Sequence, residues 1–109
     1  MIKITIYQTP SCDISGFTCS GHAGYAAYGS DIVCASVSVL VINTINAIEK
    51  FTTCDFTCDA EEEGGDIDVA FPSGITEDVK LLLDTMILGL KEIQNDYGND
   101  YIILDFEEV

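Results

Sequence analysis

The sequence predicts a two-layer α+β domain, with two long helices packed on a mostly antiparallel five-stranded sheet in the order ββαββαβ. Three observations carry this. Short segments alternate apolar and polar residues, as half-buried strands do. Two segments of about twenty residues repeat apolar positions at helical spacing. The chain has 109 residues, 48% of them hydrophobic, which fills one core and leaves no room for a second. A single domain over 1–109 is therefore expected.

Each element has a local reason. Ile2, Ile4 and Ile6 alternate with Lys3, Thr5 and Tyr7, which is a strand. The turn signal Thr9-Pro10-Ser11-Cys12-Asp13 follows, then a strand from Ile14 to Ser20, so the pair forms a hairpin. Gly16 inside that strand signals a bulge or a close backbone approach. Gly21 to Asp31 is rich in glycine, alanine and tyrosine and reads as a mobile loop. Ile32 to Phe51 fits both strand alternation and a helical stripe. Its length decides for helix, with Ser30 or Asp31 as cap. The many valines mean that burial, not propensity, stabilises it. Cys54, Phe56 and Cys58 alternate with acids and threonine and are expected to face inward on a strand. The acidic turn Glu61-Glu62-Glu63-Gly64-Gly65 joins it to a strand through Ile67, Val69 and Phe71. After Pro72-Ser73-Gly74, Thr76 caps a helix with Glu77 and Asp78 in its first turn. Val79, Leu82, Leu83, Met86, Ile87, Leu90 and Ile93 form its buried stripe, and Tyr97-Gly98-Asn99 ends it. Tyr101 to Phe106 is the last strand.

Composition excludes several functions. Nineteen Asp and Glu against four Lys give a net charge of -15. Phosphate binders need cations to displace counterions, so nucleic acid is not an expected partner. The field favours a basic partner instead. Met1 to Tyr7 lacks the continuous apolar segment of a secretory signal. The apolar stretch from Ile32 to Ile42 is interrupted by Ser36 and Ser38, and is expected to fall short of the roughly 18 residues that cross a bilayer. A cytoplasmic protein with no membrane contact is expected, and its five cysteines would stay reduced there.

Chemistry concentrates in two short runs. The one histidine, His22, lies between Gly21 and Gly24, and Cys34 follows twelve residues later. Cys34 falls in the first turn of the predicted helix, where unpaired amides and the helix dipole favour a thiolate. Those amides would also hold an oxyanion after attack on a carbonyl. His22 is the one side chain placed to take the thiol proton near neutral pH. Three other readings compete. Cys12, Cys19, Cys54 and Cys58 could form a zinc tetrathiolate, although their spacings are not those of a zinc knuckle. The aspartates lack the loop pattern of an EF-hand calcium site. The charge alone fits a non-catalytic acidic module binding a basic partner.

The runs Gly21-His22-Ala23-Gly24-Tyr25-Ala26 and Asp31-Ile32-Val33-Cys34-Ala35-Ser36-Val37-Ser38 resemble the signature of the ribosomal-processing cysteine protease family, Prp. The likeness covers essentially the whole chain. It implies a bacterial cysteine endopeptidase, a homodimer, that removes the N-terminal extension of the twenty-seventh large-subunit ribosomal protein after a Phe-Phe segment. The implied catalytic dyad is His22 and Cys34. Asp31 and Ser38 match further motif positions: Asp31 would cap the helix or orient His22, and Ser38 would support the site by a hydrogen bond. Gly21, Gly24 and Tyr25 would line or close over substrate, with Tyr28 assisting. A bulky residue at Gly24 is expected to abolish activity. Thiol hydrolysis needs neither metal nor organic cofactor, so none is expected.

Overall fold

The first alternating segment is strand β1 (Ile2–Gln8), and the segment after the Thr9–Asp13 turn is β2 (Ile14–Ser20). They pair antiparallel, as the turn signal predicts. A computed structural model describes residues 1–21, 24, 26, 31–60 and 66–109. Gly16 accounts for both features expected of it. The β1–β2 register shifts beside it, since Tyr7 faces Gly16 and Gln8 faces Ile14. A Cβ at Gly16 would also stand 2.5 Å from the carbonyl oxygen of Val69, so backbone takes the space a side chain would need.

Helix α1 (Ile32–Phe51) settles the ambiguous stretch. Val33, Val37, Val41, Thr44, Ile45 and Ile48 turn inward. The two serines do not break it. The Ser36 hydroxyl donates to the Ile32 carbonyl at 2.6 Å, satisfying itself within the helix. One expectation is thereby corrected: α1 has 20 residues and a mean hydropathy of 1.8, enough by length and composition to cross a membrane. In this fold its inner face is core.

β3 (Thr57–Ala60) and β4 (Ile67–Ala70) pair antiparallel, with Thr57 opposite Ala70. The acidic turn between them lies outside the described residues. Here the sequence reading needs correction. The strand begins at Thr57, all four of its residues are exposed, and Cys58 does not face inward. Cys54 and Phe56, which precede the strand, are partly buried against the core as expected, whereas β3 itself is the exposed edge of the sheet.

Helix α2 (Glu77–Tyr97) begins at Thr76 and ends at Gly98, whose φ of 95° only glycine adopts easily. Thr76 caps by position, but its hydroxyl hydrogen-bonds the Asp78 carboxylate instead of a free amide. That hydroxyl holds the Asp78 carboxyl below its usual range. β5 (Ile102–Glu108) runs parallel to β1, from Ile2 opposite Ile102 to Gln8 opposite Glu108.

The sheet order is β3-β4-β2-β1-β5, mixed but mostly antiparallel. Both helices cover one face. Ile4, Ile6, Phe17 and Ile102 from the strands meet Val37, Ile48, Leu83 and Leu90 from the helices, all essentially without solvent access. Each such side chain contributes about 1.5–3 kcal/mol relative to exposure. Near the end of β2, Cys19 feels Cys34 at the start of α1.

Candidate active site

Asp31 builds the helix start. Its backbone is extended, and its carboxylate Oδ1 accepts from the amides of Val33 and Cys34, each at 3.0 Å. Its Oδ2 accepts from Ala26 at 3.4 Å, and its carbonyl from Ala35 at 3.0 Å. The side chain is buried, so this is a well-shielded cap that also ties the preceding loop to the helix. The expected capping role of Asp31 is thus observed. The expectation of unpaired amides is not. The Val33 and Cys34 amides are already engaged by a carboxylate, which also offsets the positive end of the helix dipole at this point. The two donors expected to meet an oxyanion are therefore committed to Asp31.

Cys34 is half-buried in that first turn, packed against the core, and carries no disulfide. A rigid helix end presents a thiol that solvent, and hence substrate, can reach. Ser38 lies one turn further on and is exposed. His22 and Tyr25 lie outside the described residues, as does Tyr28.

Gly21 closes β2. Its φ is 84°, its amide donates to the Asp66 carboxylate at 3.2 Å, and a Cβ there would sit 2.3 Å from the Met1 carbonyl oxygen. Any side chain would therefore be both strained and blocked. Gly24 differs. Its φ is 71°, a left-handed angle that favours glycine, and a Cβ there would meet none of the described residues within 4 Å.

Two residues at this end of the sheet escaped the sequence reading as site neighbours. Cys19 is buried on β2, and its thiol is pushed up to about 11, first by burial, then by the charges of Asp66 and Cys34. Cys34, Cys19 and Asp66 therefore share one electrostatic neighbourhood. A cavity of about 330 Å³ lies there, lined by Thr18, Cys19, Ser20, Asp59, Asp66, Ile67 and Asp68. The zinc alternative finds no support: among the described residues no three metal-ligating side chains converge. Cys12 stands exposed in the β1–β2 turn, whereas Cys19 is buried near the far end of β2.

Comparison with known proteins places this arrangement. Residues 1–102 match the family described as Cysteine protease Prp. The ribosomal processing cysteine protease Prp of Bacillus subtilis (strain 168) is 33% identical over 104 residues, covering 92% of this chain and 93% of that one. Its namesake in Staphylococcus aureus (strain Mu50) is 28% identical over 107 residues, covering 98% and 100%. The crystal structure of the essential Prp protease from S. aureus with a covalently linked product peptide superposes with a TM-score of 0.93, at 28% identity, over 98% of this chain and 100% of that one. SMU.848 from Streptococcus mutans gives a TM-score of 0.84 at 29% identity, over 100% and 96%. The non-catalytic binding module is set aside by these matches. This chain, with its half-buried thiol at a capped helix start, belongs to the Prp family and is a cysteine protease.

Proposed function

We propose that this protease removes the N-terminal extension of the twenty-seventh large-subunit ribosomal protein, cleaving after a Phe-Phe segment with a His22/Cys34 dyad. The observation that carries the reading is the placement of Cys34, half-buried in the first turn of α1 and fixed through its own amide to Asp31. The Cys34 sulfur attacks the scissile carbonyl carbon and forms a thioester. His22 takes the thiol proton and returns it to the leaving amine. It then deprotonates the water that releases the new carboxylate and restores the thiol. Oxyanion donors come from groups other than the Val33 and Cys34 amides.

Three further features support the substrate class and setting. The relatives are named for ribosomal processing, and one holds a covalently linked product peptide. A net charge of -15 attracts a basic protein and would repel nucleic acid. Exposed Ile32, Val39 and Ile42 on the outer side of α1 supply apolar surface for a homodimer, which sedimentation would detect. The enzyme works in the cytoplasm, where such a substrate is made.

The test uses a synthetic peptide whose hydrophobic segment ends in Phe-Phe. Cys34→Ala and His22→Ala should each abolish cleavage while remaining folded. Wild-type cleavage by either folded variant would refute the dyad.

A further inference from the structure

We propose that Asp66 is a positioning residue for proteolysis, acting through the Gly21 amide on the segment that carries His22. The proposal rests on the assignment of His22 to the dyad. Asp66 stands at the entrance to β4, and its Oδ1 accepts the Gly21 N–H at 3.2 Å across 45 residues of sequence. The Met1 carbonyl, just before β1, occupies the space that a Cβ at Gly21 would need. Gly21 is therefore held by a carboxylate at the entrance to β4, and the Met1 carbonyl leaves no room for a side chain there. His22 is the next residue in the chain, so the peptide that Asp66 grips is the last described one before it.

The geometry has an electrostatic counterpart. The Asp66 charge acts on the Cys19 thiol, as does that of Cys34, which puts the carboxylate at the nucleophile's end of the sheet. Asp66 also lines the cavity there. A carboxylate is a strong acceptor for a backbone amide, and its charge is partly neutralised by that bond. Its removal frees the β2 exit, and misplacing a catalytic group by an ångström can cost on the order of 100-fold in rate.

Hydrogen-bond acceptance and charge are separable here, because Asn keeps an acceptor oxygen and loses the charge. The experiment measures kcat and KM for the Phe-Phe peptide, and the rate at which iodoacetamide labels Cys34 at pH 7, read at that residue by mass spectrometry. Asp66→Ala should lower kcat roughly 10- to 100-fold with KM little changed, and should slow labelling. Asp66→Asn should restore most of kcat. Asp96→Ala removes one charge from α2 and should behave as wild type. Wild-type kcat in folded Asp66→Ala, or an equal loss in Asp66→Asn, would overturn the proposal. A loss that vanishes when activity is expressed per folded molecule would also overturn it. His22→Ala and Cys34→Ala are run alongside. If they are inactive while Asp66→Ala is unimpaired, only the role of Asp66 fails. If they cleave normally, the dyad itself fails.

Discussion

Among the described residues, Cys19 gives the clearest pH signature. Burial, and after it the neighbouring Asp66 and Cys34, raise its thiol from 9.0 to about 11. The folded state therefore holds this proton more tightly than the unfolded chain does. The stability this confers is fully present below pH 9 and is lost as pH rises toward about 11. The loss should be on the order of 2 kcal/mol. Urea denaturation at a series of alkaline pH values should show that fall in wild type and a flatter profile in Cys19→Val. Asp31 teaches a second lesson. Its position before an apolar stretch made it legible as a cap, and Cys34 was legible from its place behind it. That its carboxylate consumes both the Val33 and Cys34 amides was not legible, because side-chain orientation in the first turn decides it. Asp66 was hidden for another reason: in sequence it is one of several alternating acids, and only the β2–β4 pairing brings it to Gly21.

The second helix and most strands followed from periodicity. Length separated helix from strand at Ile32–Phe51, where alternation and helical spacing were both present. β3 was read too early in the chain because the partly buried alternation of Cys54 and Phe56 was taken as strand pairing and carried on to Cys58. At a sheet edge neither side need face a core, and the strand extends only where β4 offers partners, from Thr57 to Ala70 and Ala60 to Ile67. Gly16 was legible as an anomaly in β2, and its contact explains why. Gly16→Ala should destabilise the domain by more than 1 kcal/mol, because the carbonyl 2.5 Å from the new Cβ belongs to β4 backbone and yields only if two strands separate. Thermal unfolding of the purified variant would register this as a lower Tm. An unchanged Tm would mean that the β2–β4 spacing adjusts freely.

Charge belongs to the molecule as a whole. With a net charge of -15, association with a basic peptide should be fast at low ionic strength and should weaken as salt shortens the reach of the field. We expect kcat/KM for a lysine-bearing Phe-Phe peptide to fall several-fold between about 0.05 and 0.5 M salt. An otherwise identical peptide with neutral residues should show little change. Equal salt dependence for both would dissociate the acidity from substrate capture. The same acidity shapes the rim of the sheet. On β3 and β4, Asp59 stands directly opposite Asp68, a like-charged pair that costs local stability. An identical rim approaching from another molecule would meet this anionic fence and be turned away, while a lysine-rich polypeptide would find it hospitable. Asp59, on the border strand itself, is the kind of charge that discourages fibrous self-stacking at a short, solvent-facing edge.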